Sequence, residues 1–197
     1  MKYEPRNFEH LLGTEGFSNN LLNNHFTLYK GYVTNTNKLA EILDTLLKEG
    51  KVATPEYAEL SRRFGWEFNG MRLHDYYFEN MAKGGSKLDP GSPLGTRIAN
   101  EFGSVENWEK DFKGTGTMRG IGWTLLYYDS ISKHLFNVWI NEHDVGHLSG
   151  CTPLLIMDVF EHAFITDFGL KRADYIEAFF KAIHWKAVSD RFSAAAK

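Results

Sequence analysis

The sequence predicts an α+β fold: an N-terminal α-helical hairpin followed by a C-terminal α/β domain with a three-stranded antiparallel sheet and helices. Three observations predict it. Apolar residues recur at helical spacing through two long stretches ahead of residue 82, each opened by a capping residue. Lys83-Gly-Gly-Ser-Lys-Leu-Asp-Pro-Gly-Ser-Pro93 is the one clear linker, rich in Gly, Pro and Ser. Beyond it, a β-hairpin pattern and a continuous apolar run supply three strands. The expected division is a helical hairpin domain at 1–84, a linker at 85–93 and an α/β domain at 94–197.

Taken in order, residues 1–15 show no periodicity, and Ser18 is a natural N-cap for a helix beginning near Asn19. Leu22, His25, Phe26, Tyr29 and Tyr32 or Val33 keep to helical spacing. The polar run Thr34-Asn-Thr-Asn37 predicts an end or bend, after which Leu39, Ile42, Leu43, Leu46 and Leu47 form a second amphipathic segment. Thr54-Pro55 reads as N-cap and first helical residue of the next helix, which runs through Phe68, Leu73, His74, Tyr77, Phe78 and Met81, with Gly65 or Gly70 as candidate breaks. Short helices follow at about 94–102 and 105–114, the second opening at Ser104. Trp123–Tyr128, a turn at Asp129–Ser132 and Leu135–Asn141 make the hairpin; Pro153–Phe164 is the third strand, and 174–192 a closing helix.

Composition bounds the function. At 197 residues, 43% apolar and 24% charged, the chain suits a folded globular protein. A net charge of −3 with no basic stripe argues against a nucleic-acid surface. The single cysteine, Cys151, excludes an internal disulfide. No run approaches the roughly 18 apolar residues of a membrane span, and the first residues lack the apolar core of a secretory signal, so the expectation is a cytoplasmic protein without membrane contact.

The chemistry gathers in the third apolar run, where Asp158, Glu161 and His162 interrupt Pro153–Phe164. A buried carboxylate is costly unless it is paired or bound to a metal, and His162, four residues on, is the nearest partner. His25 and His74 lie on the apolar faces of the two long helices; each alone reads as a core histidine. A hairpin can set them opposite each other, with Asp158 and His162 closing the set, and three imidazoles with one carboxylate suit iron, manganese or zinc. His10, His134 and His184 read as surface or packing residues, while His143 and His147 are open between ligand, supporting group and plain loop residue.

These residues carry a family resemblance. Asp158-Val-Phe160-Glu161-His162-Ala163-Phe164 resembles the Asp-x-Trp-Glu-His-Ala-x-x signature of the iron/manganese superoxide dismutases. Lys171-Arg172-Ala-Asp174-Tyr175, Tyr32-Val-Thr-Asn-Thr-Asn37, Phe68-Asn69, His74 with Tyr77-Phe78-Glu79-Asn80-Met81, and Gly120-Ile-Gly122-Trp123 are similar to further markers of that family, in its order. The resemblance implies one iron or manganese ion per subunit on His25, His74, Asp158 and His162, with solvent as a fifth ligand, and disproportionation of superoxide to dioxygen and hydrogen peroxide. It implies Tyr32 as the gateway tyrosine, His143 as the solvent-contacting group where relatives use Gln (Gly70 holds the other Gln position), and Arg172 as the arginine that draws the anion inward. Trp123 and Phe160 would wall the cavity, with Phe78 more simply a core residue. Glu161 would bond the last ligand histidine of a second subunit, implying a homodimer, with a tetramer as the alternative.

Two departures stand out. The family commonly places a second histidine four residues, and the gateway tyrosine eight residues, after the first ligand; here Tyr29 stands at the fourth position and Tyr32 at the seventh. At about 100° per residue, a seven-residue step returns within about 20° of the same face, so a regular helix between His25 and Tyr32 is expected. The tyrosine that normally pairs with the missing histidine across the interface is Ile165, so both partners of one hydrogen bond are absent together, and Tyr29 is a candidate for a rebuilt gate. The alternatives are a superoxide-dismutase-like structural or binding protein without activity, and another non-haem iron enzyme, which would want fewer protein ligands.

Overall fold

The computed structural model describes residues 2–197. After a short 3₁₀ turn at Glu9–Leu11, α1 (Asn19–Lys48) starts from Ser18, whose side chain accepts the Leu21 N–H. α2 (Pro55–Glu79) starts the same way from Thr54, with Pro55 in its first turn. The contacts His25 with His74, Tyr32 with Gly70 and Asn35 with Glu67 climb α1 while descending α2, so the two helices form the expected antiparallel hairpin.

α1 does not end at Thr34–Asn37, nor α2 at Gly65 or Gly70. The polar run of α1 finds partners that do not compete with the helix. Thr34 bonds back to the Lys30 carbonyl, and the Asn37 side chain pairs with both backbone groups of Tyr3. α1 is regular α-helix from His25 to Tyr32, as the seven-residue spacing requires.

α3 (Pro93–Phe102) and α4 (Val105–Gly116) are each capped by a serine, Ser92 and Ser104. β1 (Gly122–Asp129), β2 (His134–Asn141) and β3 (Thr152–Asp158) form an antiparallel sheet in the order β2-β1-β3. The register sets Trp123 opposite Asp158 across the sheet. Pairing between β1 and β3 slips at Leu126/Tyr127, and the carbonyl of Leu154, which the slip skips, is taken by Arg191 at 2.7 Å.

The third strand stops at Asp158, short of the expected Phe164. The Asp158 side chain accepts the Phe160 N–H at 2.8 Å, turning the chain into a 3₁₀ turn at Glu161–Ala163. A single turn, α5 (Ile165–Phe168), leads to α6 (Arg172–Ala182) and α7 (Trp185–Ala195), so the expected closing helix is two. Its break has a cause: Ser86 N–H bonds the Ile183 carbonyl, His184 N–H bonds the Asn80 carbonyl, and Trp185 N–H bonds the Ser86 hydroxyl. The segment after α2 thus takes the backbone groups that a continuous helix would use. The core runs without interruption from the hairpin to the sheet and α6, and includes Leu22, Phe26, Tyr77, Phe78, Trp123, Ile156 and Phe179.

Candidate metal centre

Four side chains converge where the hairpin meets the end of the sheet. α1 presents His25, α2 presents His74, Asp158 is the last residue of β3, and the 3₁₀ turn carries His162 back over it. One candidate ligand atom from each lies within 4.8 Å of all the others. The Asp158 Oδ2 stands 3.1 Å from His25 Nε2, 3.1 Å from His162 Nε2 and 3.5 Å from His74 Nε2. His25, His74 and Asp158 are fully buried, and His162 has 24% of its side chain exposed.

The donor set fits a cation. His74 Nδ1–H donates to the Gly70 carbonyl at 2.5 Å, so its Nε2 carries a bare lone pair and has no hydrogen-bond partner. That lone pair faces a carboxylate oxygen in a dry interior, where two acceptors repel unless a positive centre lies between them. Burial lowers the proton affinity of His25 and His74, keeping both in the neutral form that binds metal. Burial pushes the Asp158 carboxyl up, but His162 and the bonds from His162 and His25 outweigh it and hold the group well below the usual carboxylate range. The set is therefore one carboxylate and at least two neutral imidazoles aimed at one point. Its residues suit a first-row ion such as iron or manganese.

Around the four, a ring of aromatic and polar groups fixes their orientation. Tyr175 Oη donates to the Asp158 main-chain carbonyl at 2.6 Å, with Tyr77 Oη 3.2 Å from it. Trp123 stands edge-on to His74, and Phe160 stacks on both His162 and His143. Phe78 packs in the core against His25. Tyr32 stacks on His74 with ring centroids 5.2 Å apart. Its hydroxyl lies 2.9 Å from His143 Nε2, and Trp123 Nε1–H donates to His143 Nδ1 at 3.0 Å. An indole donates only, so His143 Nδ1 is an acceptor and its ring proton sits on Nε2, pointing at the Tyr32 oxygen. Burial lowers the His143 pKa to about 4, which keeps the ring neutral at ordinary pH.

Other expected residues lie elsewhere. Tyr29 is closed within its own chain: its hydroxyl donates to Asp75 Oδ1 at 2.6 Å and accepts the Arg6 N–H at 2.9 Å. Arg172 forms no ion pair with Asp174 among the described residues. It donates to the carbonyls of Met118 and Gly120 at 2.7 and 2.8 Å and lies over the Phe164 ring. Glu161 is exposed. Sequence reasoning passed over Trp66, which packs against His143 and Tyr32 with the Arg63 guanidinium 3.7 Å from its ring centre. Eight residues before His74, it lies about 80° round α2 from that side chain, so its spacing carried no signal and only the fold brings it to His143.

A helical hairpin and a sheet sharing one buried three-histidine, one-aspartate centre define a protein built around a single metal ion. The family model for iron/manganese superoxide dismutases, C-terminal domain, matches residues 90–191. A superoxide dismutase [Mn] of Haloferax volcanii is 36% identical over 171 residues, 87% of this chain and 84% of the relative. A superoxide dismutase [Fe] of Aquifex pyrophilus is 34% identical over 201 residues, spanning 100% of this chain and 93% of the relative. A superoxide dismutase [Fe] of Cupriavidus metallidurans is 36% identical over 92% of this chain and 91% of its own length. The chain belongs to the iron/manganese superoxide dismutase family.

Proposed function

We propose that this chain is a superoxide dismutase, holding one iron or manganese ion on His25, His74, Asp158 and His162 and converting superoxide to dioxygen and hydrogen peroxide. The observation that carries the reading is the unpartnered His74 Nε2 facing the Asp158 carboxylate, in a chain of this family. When bound, the ion supplies one-electron redox chemistry, alternating between +3 and +2. Relatives named for manganese and for iron match at 36% and 34% identity, so either ion is compatible with the family.

The protein's own groups account for the proton demand. Two superoxide anions become dioxygen and hydrogen peroxide only by taking up two protons. His143 Nε2–H donates to the Tyr32 oxygen, leaving the Tyr32 O–H free to donate to an anionic reactant. Burial raises the Tyr32 pKa, which keeps that proton in place at neutral pH. Trp123, Phe160 and Trp66 enclose His143 and keep bulk water off the pair. Arg172, bound to the Met118–Gly120 turn, acts on the anion at range through its charge.

In this reading the molecule is a homodimer, with a tetramer as the alternative, and works in the cytoplasm as an antioxidant enzyme. Support for assembly comes from one surface: Glu161 beside the ligand His162, Ile165 at 43% exposure, Leu170 at 92% and Arg172 border a common hollow. Glu161 would reach His162 of the second copy across a two-fold axis. The linker at 85–93 divides the chain into the two domains at 1–84 and 94–197. Substituting His162→Ala and measuring metal content together with superoxide decay tests the ligand assignment: both should be lost, and retention of either would overturn it.

A further inference from the structure

The loop after β2 carries His143, and its backbone is strained at that point. Glu142, a non-glycine residue immediately before it, sits at φ 55°, and Gly146 at φ 104°. Asn141 and Val145 exchange backbone hydrogen bonds across the loop at 2.9 and 3.3 Å. The His143 ring has anchors of its own in Trp123 and Tyr32, but its carbonyl oxygen is held by a second histidine: His147 Nε2 lies 2.8 Å from it. A carbonyl only accepts, so His147 Nε2 carries a proton. In a neutral imidazole the other nitrogen is then an acceptor. His147 Nδ1 lies 2.7 Å from the hydroxyl of Tyr127, a buried residue of β1 with no freedom to follow the loop.

With a neutral imidazole at His147, every donor and acceptor in this run has one assignment. Tyr127 O–H donates to His147 Nδ1, and His147 Nε2–H to the His143 carbonyl. Trp123 N–H donates to His143 Nδ1, and His143 Nε2–H to the Tyr32 oxygen. The first two bonds fasten the His143 main chain to the sheet, and the last two aim its ring.

We propose that His147 is a positioning residue for the reaction: it ties the His143 backbone to Tyr127 of the sheet, and so holds His143 Nε2 against the Tyr32 hydroxyl. The proposal rests on the superoxide dismutase reading for its functional consequence, and on the loop geometry alone for its structural one. Residues that orient a metal centre's supporting groups change activity by roughly 10-fold or more when lost.

The test uses full-length protein loaded with metal, as wild type, His147→Leu, His147→Gln and Tyr127→Phe. Crystal structures read the His143–Tyr32 separation, azide titration reads anion affinity, and superoxide decay per bound ion reads turnover. In His147→Leu the separation should lengthen past hydrogen-bonding range, azide affinity should change, and turnover should fall roughly 10-fold with metal content unchanged. Glutamine, whose amide can still donate to the His143 carbonyl, should restore all three, and Tyr127→Phe should fall between. A His147→Leu protein that is less heat-stable but keeps the His143–Tyr32 bond and full turnover would overturn the proposal, as would failure of glutamine to rescue a folded protein. If the loaded wild type does not consume superoxide, the activity reading fails, while the separation and the azide affinity still decide the role of His147.

Discussion

Gly70 shows how one missing side chain shapes the centre. A Cβ built on it would lie 2.5 Å from Tyr32 Cδ1, so the Tyr32 ring occupies the space a side chain would need, stacked against His74. Gly70→Ala should push Tyr32 away from His74 and His143, costing about 1–3 kcal/mol of stability as an overpacked site and lowering turnover without loss of metal. Thermal melts and superoxide decay on the same sample check it; an alanine variant with unchanged melting and rate would show that Tyr32 adapts freely. Tyr29 teaches a different lesson. The family resemblance implies a histidine where this chain has Tyr29, and suggests a rebuilt gate. The fold instead closes its hydroxyl on Asp75 and Arg6, so no polar group of Tyr29 is left unpaired by the isoleucine at 165. The cluster of His25, His74, Asp158 and His162 was readable because an Asp-x-x-x-His pair in an apolar run and two histidines on apolar helix faces are costly without a metal. Tyr29–Asp75 and Tyr127–His147 were not readable, since partners 46 and 20 residues apart meet only through the fold.

At the scale of elements, α7 is pinned to α2 through charge. Arg191 bonds Glu79 Oε2 at 2.7 Å, the Asn80 side chain and the Leu154 carbonyl, while Arg6 of the N-terminal arm pairs with Glu79 from the other side. Burial alone would raise the Glu79 pKa, but the two arginines outweigh it and the carboxyl lies below its ordinary value. The folded state therefore binds this proton less readily than the unfolded state. Its contribution is complete above the ordinary glutamate range and is lost as pH falls through the depressed folded value. Glu79→Gln should be less stable at neutral pH and should lose part of the acid-induced fall in stability. Denaturation midpoints measured from neutral to acid pH check this, and parallel curves for the two proteins would contradict it. The three strands, the helical hairpin and the caps at Ser18, Thr54 and Ser104 were legible because they depend on local pattern. The continuity of α1 and the break before α7 were not. Both depend on where distant partners, Tyr3 for Asn37 and Ser86 for Ile183, satisfy the backbone and polar side chains.

At the scale of the whole molecule, the four clustered side chains come from both long helices, the end of the sheet and the turn beyond it, so one ion held by them would join the hairpin to the C-terminal half. A ligand that binds only the folded form stabilises it by an amount that grows with the logarithm of its affinity, and an ion here would also end the repulsion between His74 Nε2 and Asp158. The overall charge of −3 does not favour an anionic substrate, so the proposed function would leave recruitment to a local positive group such as Arg172. The proposed function makes this centre a redox metal site for superoxide. Its most direct measurement is superoxide decay catalysed by the full-length protein stripped of metal and reloaded separately with iron and with manganese, with metal content determined on the same samples. About one ion per chain, a higher melting temperature than the stripped form, and rapid dismutation with at least one of the two metals are expected. Full occupancy by both metals in turn, with superoxide decaying no faster than in buffer, would contradict it.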